Sequence, residues 1–489
     1  MSKDTFPSLN FLFKPNNIAI FEAKDKLYYF IMGYKEHGYN LDNLYLINPV
    51  EEELFGIKCY KSIEDIPADE IDLFILAVQR DNLIDSLKNA LIKKKIKFIH
   101  IFSAGTGESD EKGLKIEKEL KQILQETENN TRAIGPNCMG LYCPEGKNTY
   151  SPTFPKERGN IGLIFHSGDL HSKMITYSSI RYRMTFSKGV SLGNCIDLQI
   201  SDFLEHFNHD KDIDFVCVYF EGFSKYRKKE GIRLFNLLKT MKKPVLILRG
   251  GRTSRAQTAV QTHTGSLGSP RRLWEALYSQ TNVIEAGIEL DDLIDYAYVF
   301  NEFFKKYRNL PIENQIKFYP KTNNALVILW SGGLGILDTD TLTELGINLP
   351  YFEGIEKEKL LEIYPLKIGS LSNPLDLPWI VATDVFPELC KAAVSEKIDL
   401  VILETDSPMH WDKERFQRYY KNLLEIRDHV NSLNKLFILI FPEYPHRKRL
   451  KYYNKLLNDG FIVYSSVTRA AKAFLALYEY GKNLKKHLK

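Results

Sequence analysis

Residues 244–269, PVLILRGGRTSRAQTAVQTHTGSLGS, form the stretch around which this chain is organised. The stretch opens with an apolar, partly β-branched segment that predicts a strand, and Gly250 and Gly251 follow it. A polar loop is predicted next, and it carries a single histidine, His263, between two threonines. Glycines let a ligand or another part of the backbone come close, and open α/β sheets bind ligands beyond the carboxyl ends of their strands. This order predicts a reactive histidine at the edge of an α/β sheet.

On both sides of this stretch, short apolar segments alternate with amphipathic segments of helical spacing. The alternation predicts βαβ units and parallel, doubly wound sheets, an α/β fold. At 489 residues the chain is too long for a single hydrophobic core. We predict three domains, over residues 1–152, 153–306 and 323–489, with a charged, proline-bearing linker at 305–322.

The composition argues against several classes of protein. The 66 basic and 62 acidic residues give a formal net charge of +4, without the dense basic patch of a nucleic-acid-binding protein. The six cysteines form no C-x-x-C pair, which favours reduced thiols in the cytoplasm over disulfides or a zinc site. His206 and His209 have no carboxylate or cysteine at metal spacing, so we predict a helix surface there. The N-terminus lacks the apolar core of a signal peptide and no apolar run reaches about 18 residues, so we expect no membrane span.

The stretch around His263 resembles the phosphohistidine segment of the ADP-forming acyl-CoA synthetases, the NDP-forming relatives of the α subunit of succinyl-CoA ligase. In that family an apolar strand ends in a basic residue and Gly-Arg, and a loop follows with Ser/Thr-His-Thr-Gly, a small residue and Leu. The matching residues here are Arg249, Gly251, Arg252, Thr262, His263, Thr264, Gly265, Ser266 and Leu267. The resemblance implies that His263 is the catalytic nucleophile that accepts a phosphoryl group.

The first predicted domain resembles the Rossmann-like CoA-binding domain of the same family. The matching segments are residues 47–67, 103–108 and 134–141. The CoA-binding residues that the resemblance implies are Ser103, Pro136, Asn137 and Cys138, the last three near the thiol arm of CoA. The resemblance also implies that the second and third domains are flavodoxin-like ligase domains.

The first domain also departs from the family pattern. The family's first strand leads into a glycine-containing turn whose amides hold CoA phosphates, whereas here residues 21–26 read FEAKDK and no glycine occurs before Gly33. A phosphate cradle needs free N–H groups and close backbone approach, for which a bulky, acidic turn is a poor substitute. Val50 stands where a basic residue is usual, and Gln79 stands where a proline is usual. Either this domain holds CoA in another way or it has lost CoA.

The second domain matches the family at the start of a helix. Ser167 and Gly168 correspond to a Ser-Gly whose helix points its positive end at the phosphohistidine, and free N–H groups with a helix dipole favour a dianion. The resemblance implies that these two residues, with Thr264 and Gly265, bind phosphate. Asp169 follows where the family has a small, neutral residue. Its carboxylate either caps the helix or opposes phosphate binding.

Glu221 follows the predicted strand 214–220, where the family has a Glu-Gly. The resemblance implies that Glu221 hydrogen-bonds the other ring nitrogen of His263, which fixes the tautomer and raises the basicity of the attacking nitrogen. The alternative is a solvated carboxylate at a strand end. FSKGVSLGN at 186–194, Gly-Gly-x-Gly at 332–335 and Asn-Pro-x-Asp at 373–376 extend the resemblance over nearly the whole chain.

The family converts acyl-CoA, ADP and phosphate reversibly into acid, CoA and ATP, and its nucleotide site lies in an ATP-grasp domain that is fused or forms a separate β subunit. No stretch of this chain is left to build such a domain. The resemblance therefore implies the α subunit of a cytoplasmic hetero-oligomer that uses CoA with a small carboxylic acid or acyl-CoA. ATP, ADP and Mg²⁺ are expected to reach it through an ATP-grasp β subunit. Two alternatives stay open: a CoA-independent relative that uses His263 for phosphoryl or carbamoyl transfer, and a non-catalytic regulatory paralogue of the synthetase.

Overall fold

The computed structural model describes residues 7–127, 129–264, 271–365, 368–405, 411–442 and 446–487. For residues 27, 28, 261–264 and 487 it describes the main chain alone. The chain divides into two compact units, Met1–Ile294 and Asp295–Lys489. The first unit holds two seven-stranded sheets, and the second unit holds a six-stranded sheet.

Helices and strands alternate along the part of the chain that forms the first sheet. Its elements are α1 (Leu9–Phe13), β1 (Ile18–Phe21), α2 (Tyr28–Glu36), β2 (Leu44–Ile47), β3 (Glu53–Leu54), β4 (Ile57–Tyr60), β5 (Glu70–Leu76), α3 (Leu83–Lys93), β6 (Lys95–Ile101), α4 (Glu111–Glu126) and β7 (Arg132–Ile134). Short 3-10 helices lie at Asp25–Leu27, Leu41–Asn43 and Arg80–Asn82. The strand order is β3-β4-β2-β1-β5-β6-β7, and every pair is parallel except β3 with β4.

Two central strands of the first sheet, β2 and β5, are buried on both faces. Every residue of β2 and the last six residues of β5 are buried. Continuous apolar runs of this kind are typical of parallel strands that helices cover on both sides. One core joins Phe74 of β5 to Leu87 of α3 and Leu120 of α4. The strand order places β1 at the point where the sheet grows in both directions, as in a Rossmann-like fold.

The second sheet follows in the same unit. Its elements are β8 (Leu141–Cys143), β9 (Asn148–Thr149), β10 (Arg158–Phe165), α5 (Gly168–Tyr182), β11 (Phe186–Ser191), α6 (Ile200–His209), β12 (Phe215–Phe220), α7 (Glu230–Thr240), β13 (Val245–Arg249), α8 (Ser254–Thr264), α9 (Arg271–Gln280) and β14 (Ile284–Glu285). The order is β14-β13-β12-β10-β11-β8-β9, parallel from β14 to β11 and antiparallel at β8 and β9. Because β11 and β12 lie on opposite sides of β10, this arrangement is flavodoxin-like.

Main-chain hydrogen bonds join the two sheets of the first unit, between the segment after β7 and the segment after β11. The Gly135 N–H donates to the Leu192 carbonyl at 3.1 Å, and the Asn194 N–H donates to the Pro136 carbonyl at 2.9 Å. Gly193 lies between these bonds with φ +58°, and a Cβ atom there would lie 2.2 Å from the Pro136 carbonyl oxygen. We call this set of contacts the junction. It requires a glycine at 193 both for the backbone conformation and for the close approach.

A buried carboxylate reinforces the junction. Glu117 of α4 accepts from Asn194 Nδ2 at 2.9 Å and from the Gly107 N–H at 3.0 Å. The Tyr226 hydroxyl donates to the other Glu117 oxygen at 2.7 Å, and Lys225 Nζ lies 3.3 Å from that oxygen. Both oxygens of Glu117 therefore have hydrogen-bond or ion-pair partners, as a buried carboxyl group that is only 2% exposed requires.

The second unit has its own sheet. Its elements are α10 (Leu290–Tyr307), whose first residues belong to the first unit, α11 (Ile312–Gln315), β15 (Ala325–Leu329), α12 (Gly332–Glu344), α13 (Ile355–Ile363), β16 (Ser370–Leu371), β17 (Leu375–Asp376), α14 (Val385–Ala393), β18 (Leu400–Glu404), α15 (Lys413–Ser432), β19 (Leu436–Ile440), α16 (Arg447–Asn458), β20 (Ile462–Tyr464) and α17 (Val467–His487). The order is β16-β17-β15-β18-β19-β20, and the strands are parallel except β16 with β17. Asp295 of α10 accepts two hydrogen bonds from the Arg469 guanidinium of α17, at 2.5 and 2.7 Å.

The predicted α/β class, with three doubly wound sheets, is confirmed, although each sheet also has an antiparallel edge. The predicted domain limits stay predictions. Within the described residues, no helix has the length and apolar character needed to cross a membrane.

The predicted helix surface at the H-x-x-H pattern is wrong for one of its two histidines. His209 is exposed, but His206 is half-buried and its ring stacks on Phe13, with 6.0 Å between the ring centroids. Burial lowers the pKa of His206 to about 4. The helix α6 turns His206 toward α1, which sequence spacing does not reveal.

Gly193→Ala is expected to destabilise the first unit more than Gly38→Ala. Both glycines have positive φ, +58° and +75°, so each alanine costs about 1–2 kcal/mol of left-handed strain. A Cβ at 193 also collides with the Pro136 carbonyl, whereas a Cβ at 38 has no neighbour within 4 Å. That overpacking adds about 1–3 kcal/mol. The urea midpoint of unfolding measures the difference, and equal midpoints would contradict the role given to the junction.

Candidate functional site

The carboxyl ends of β10 and β12 mark the switch point of the second sheet. β10 has β11 on one side and β12 on the other, and ligands of open α/β sheets bind in the crevice at such a point. His166 and Ser167 follow β10, and Glu221 follows β12. The His166 N–H donates to the Tyr219 carbonyl at 3.2 Å, which keeps the two strand ends together. The structure therefore brings Ser167 and Glu221, predicted from separate motifs, to one crevice.

The first turn of α5 presents main-chain donors at this crevice. The Ser167 hydroxyl oxygen caps the helix by accepting from the Leu170 N–H at 3.3 Å. Within the described part of the chain, the N–H groups of Gly168 and Asp169 have no acceptor. These donors and the helix dipole favour an anion. A Cβ at Gly168 would lie 2.3 Å from Met139 Cγ, so α5 can begin here only with a glycine.

The cap role considered for Asp169 is wrong, because Ser167 already occupies the cap position. The Asp169 side chain is 69% exposed, and its Oδ2 lies 2.7 Å from Lys173 Nζ, one turn further along α5. Their hydrogen bond raises the pKa of Lys173. The Asp169 charge at the helix start is thus partly offset by a neighbouring cation.

Glu221 is buried rather than solvated, with 8% of its surface exposed. Its main-chain N–H donates to Nδ1 of His166 at 3.1 Å. Its carboxylate hydrogen-bonds the Tyr219 hydroxyl, and burial together with this negative charge raises the pKa of Tyr219. The end of β12 therefore carries the buried carboxylate of Glu221, and the hydrogen bond to His166 fixes the main chain of that residue.

The Gly250–Gly251 turn lies against this carboxylate. The Gly250 N–H donates to the Phe220 carbonyl at 2.8 Å. A Cβ at Gly250 would lie 3.0 Å from the Tyr219 hydroxyl oxygen and 3.7 Å from Glu221 Cγ. Gly251 has φ +66°, in the left-handed region that favours glycine. The turn thus directs the segment that carries His263 past the strand end that carries Glu221.

The polar loop predicted after this turn is wrong, because residues 254–264 form the helix α8. Thr253 Oγ1 accepts from the Ala256 N–H at 3.2 Å, as an N-cap does. Alanine and glutamine are good helix formers, and their propensity outweighs the polar character of the segment. The main chain of His263 and Thr264 forms the end of α8. Their side chains, and Gly265, lie outside the described residues, so their predicted roles stay predictions.

Two arginines add positive charge next to the glycine turn. Arg249 is 5% exposed, and its guanidinium lies 5.4 Å from the centroid of the Trp274 ring. Burial lowers the pKa of Arg249, and among the described residues its Nε and Nη1 have no hydrogen-bond partner. Arg252 lies 2.9 Å from Glu285 Oε1. The sequence match included both arginines but did not reveal that Arg249 is a buried cation.

The predicted CoA-binding residues come together at the carboxyl edge of the first sheet, beside the junction, where the Asn137 N–H donates to the Ser103 carbonyl at 2.9 Å. The Ser103 hydroxyl and the Cys138 thiol both donate to main-chain carbonyls, at 2.5 and 3.7 Å. Burial raises the pKa of the Cys138 thiol. Pro136 is buried, whereas Asn137 is half-buried with φ +57°. The polar side chains of Ser103 and Cys138 are thus already bonded to the main chain. The side-chain amide of Asn137 makes no hydrogen bond to any described residue, so it is the polar group that can meet a ligand.

The turn after β1 does not fit CoA phosphates. Glu22 has φ +55°, and its carboxylate lies 2.9 Å from Lys24 Nζ. The Ala23 N–H donates to the Ile47 carbonyl at 3.0 Å, and Asp25 opens a 3-10 helix. This turn places two carboxylates beside the main chain and its Ala23 amide is already bonded, so it lacks the glycine turn with which the family holds CoA phosphates.

A pair of carboxyl groups lies at the carboxyl edge of the third sheet. Asp338 of α12 and Glu404 at the end of β18 hydrogen-bond each other. Burial and the charge of Asp338 raise the pKa of Glu404 to about 8, and burial raises that of Asp338 to about 6. Close carboxyl groups in a buried place share a proton because both cannot ionise cheaply.

Within the described residues, no group of three or more His, Cys, Asp or Glu side chains is placed to hold a metal ion. The six cysteines are buried, free thiols.

Glu404→Gln is expected to flatten the pH dependence of stability of the second unit. The folded pKa of Glu404 is raised to about 8 from an ordinary value of about 4.3. The folded state therefore binds the proton more tightly, and stability falls as the pH rises through this window. Gln is neutral and keeps a donor for Asp338. Thermal unfolding between about pH 5 and 8 is the measurement, with the exposed Glu358→Gln as control. A parent-like slope in E404Q would contradict the shared proton.

Two family models match the chain. The model described as "CoA binding domain" matches residues 25–144, and the model described as "Succinyl-CoA ligase like flavodoxin domain" matches residues 158–300. The first match begins after Glu22, the left-handed residue of the acidic turn. The second match includes both strand ends of the switch point and the segment with His263.

Similar proteins extend over almost the whole chain. The α subunit of ADP-forming acetate–CoA ligase II from Pyrococcus furiosus is 28% identical over 97% of this chain and 98% of its own length. The ADP-forming acetate–CoA ligase of Methanocaldococcus jannaschii is 31% identical over 76% of this chain, which is 49% of its own length. A solved acetyl-coenzyme A synthetase 1 from Candidatus Korarchaeum cryptofilum, in complex with phosphate and ADP, has a TM-score of 0.77 over 98% of both chains. At 22% identity it shows the same fold.

Proposed function

The chain belongs to the ADP-forming acyl-CoA synthetases of the succinyl-CoA ligase α-subunit superfamily, as predicted from the sequence, and we propose that it is the α subunit of an acid–thiol ligase. The proposed reaction converts acyl-CoA, ADP and phosphate reversibly into acid, CoA and ATP. One observation carries the proposal for this chain's own residues. The buried Glu221 lies at the switch point against the glycine turn from which α8 runs to His263.

In the proposed mechanism, phosphate first displaces CoA from the acyl-CoA and forms an acyl phosphate. A ring nitrogen of His263 then attacks phosphorus, so that a P–N bond forms while the P–O bond to the acyl group breaks and the carboxylate leaves. The terminal phosphate oxygen of ADP next attacks the same phosphorus. The P–N bond breaks, ATP leaves, and the neutral imidazole is restored.

The residues at the switch point take defined roles in this scheme. Glu221 accepts a hydrogen bond from the second ring nitrogen of His263, which leaves the attacking nitrogen unprotonated and stabilises the ring when it is phosphorylated. The first turn of α5, at Ser167 and Gly168, donates N–H groups to the phosphoryl oxygens. Thr264 and Gly265 complete the phosphate site in this proposal.

We propose that CoA meets the carboxyl edge of the first sheet at Ser103, Pro136, Asn137 and Cys138. The match of this region to a CoA-binding domain supports the proposal. Because Glu22 and Asp25 occupy the turn after β1, the CoA phosphates are held at other groups, and Asn137 is the polar side chain that the junction leaves available.

A partner chain completes the proposed enzyme. The P. furiosus relative is named a subunit alpha, and the M. jannaschii relative is about twice as long as the part that this chain matches. We propose that an ATP-grasp β subunit supplies the site for ATP, ADP and Mg²⁺ in a hetero-oligomer. The acid is a small carboxylic acid, and the buried free thiols suit a reducing cytoplasm.

The proposal predicts that the chain, purified from its native cell with its partner, takes label from radiolabelled ATP and Mg²⁺. The label should be acid-labile and base-stable, present on the wild type and absent from His263→Ala. Glu221→Gln should slow labelling by about 10- to 100-fold, the usual effect of losing an orienting carboxylate. The exposed His209→Ala and Glu205→Gln are the matched controls, and they should label at the wild-type rate.

Release of the label by CoA together with an acid would complete the proposed cycle. Release by an acid alone would favour the CoA-independent relative. The acidic turn after β1 is the structural feature that favours this alternative. A partner-bound chain that takes no label would favour the non-catalytic paralogue and overturn the proposal.

A further inference from the structure

His166 lies between the end of β10 and the cap of α5, and neighbouring segments hold it on three sides. Its N–H donates to the Tyr219 carbonyl at 3.2 Å, and its carbonyl accepts from the Gly193 N–H at 3.1 Å. Its Nδ1 accepts from the Glu221 N–H at 3.1 Å. The residue is 6% exposed, and its ring centroid lies 5.3 Å from that of Phe220. The ring position is therefore set by β12 and by the segment after β11.

These contacts decide which ring nitrogen carries the proton. A main-chain N–H can only donate, so Nδ1 of His166 is unprotonated. Burial lowers the pKa of His166 to about 4, so the ring is neutral near pH 7 and its proton is on Nε2. In the part of the chain that the structure describes, Nε2 makes no hydrogen bond. His166 thus carries a neutral N–H donor that no described residue accepts from.

We infer that His166 is a further residue of the phosphoryl-transfer site, an assignment that rests on the proposed function. Its Nδ1 anchors the main chain of Glu221, and its Nε2–H donates to an oxygen of the phosphoryl group at the start of α5. Nothing in the motif match assigned a role to this position.

A neutral hydrogen-bond donor at His166 suits a phosphoryl group, which the site must hold and then release. His166 directly precedes Ser167, the cap residue of α5, so it adjoins in the chain the first turn with its two free N–H groups. A neutral donor stabilises the phosphoryl oxygens without adding a full positive charge, which would retain the anion more strongly. Loss of the Nδ1 acceptor would leave the buried Glu221 N–H unpaired and loosen the carboxylate that orients His263.

The test compares His166→Gln with His166→Met in the complex with the partner chain. Gln has an oxygen that can accept from the Glu221 N–H and an amide that can donate, whereas Met has a similar length and neither group. The measurement is the single-turnover rate of label transfer from radiolabelled ATP. His209→Met is the control, because His209 is an exposed histidine on α6.

H166M is expected to label about 10- to 100-fold more slowly, the effect of losing a hydrogen bond to a charged oxygen. H166Q should recover most of the rate, and the ratio of its rate to that of the wild type should stay constant between about pH 5.5 and 8, because His166 does not ionise there. Thermal unfolding of each variant separates a general loss of folding from a loss confined to the transfer step.

Wild-type labelling in H166M, or an H166Q that is as slow as H166M at an unchanged unfolding midpoint, would overturn the assignment while the proposed function stands. If the ratio of the H166Q rate to the wild-type rate changes with pH in this range, the assignment of His166 as a neutral donor is wrong. If neither the wild type nor any variant takes label with the partner bound, the proposed function fails, and the role of His166 falls with it.

Discussion

The hydrogen bonds of the junction are the constraint on which the first unit depends. They join the carboxyl edge of the first sheet to the carboxyl edge of the second, because the segments after β7 and after β11 both follow strand ends. Gly193 makes them compatible: its N–H reaches the His166 carbonyl, and its missing side chain lets Asn194 reach the Pro136 carbonyl. One short loop therefore contacts both the edge proposed for CoA and the switch point proposed for phosphoryl transfer. Proximity of these two edges suits a reaction in which an acyl phosphate forms near CoA and is used at a histidine.

The junction also explains why several motif residues are present. Asn194 and Tyr226 both donate to the buried carboxylate of Glu117, and the hydroxyl of Ser103 and the thiol of Cys138 are bonded to the main chain. Buried polar groups are costly unless they are paired, so these residue types are needed for the fold whether or not a ligand binds. A motif that matches a ligand-binding domain can thus be retained for packing. Among the predicted CoA-binding residues, Asn137 is the one whose polar side chain remains available to bind a ligand.

Burial sets the electrostatics of the switch point. It keeps the His166 ring neutral and holds the Glu221 carboxylate and the Arg249 guanidinium out of water. Charges removed from solvent interact more strongly with one another and with a ligand than exposed charges do. The exposed Asp169, paired with Lys173, has correspondingly less influence on the site. The resulting crevice combines main-chain donors, a neutral histidine and a buried carboxylate.

The sequence by itself determined the fold class and the alternation of strands and helices, because short apolar runs and glycine turns are local signals, and the resemblance to a family supplied the motif residues. The predicted strand 214–220 corresponds to β12 at Phe215–Phe220, and the family resemblance pointed to Glu221, the residue that follows it. The helix α8 was missed because a capping threonine and helix-forming residues outweighed a polar composition. Only the tertiary structure decided that His206 stacks on Phe13, and that His166 accepts from a residue 55 positions away. Which polar groups are bonded and which remain for chemistry depends on partners supplied by distant segments, and no local pattern encodes those partners.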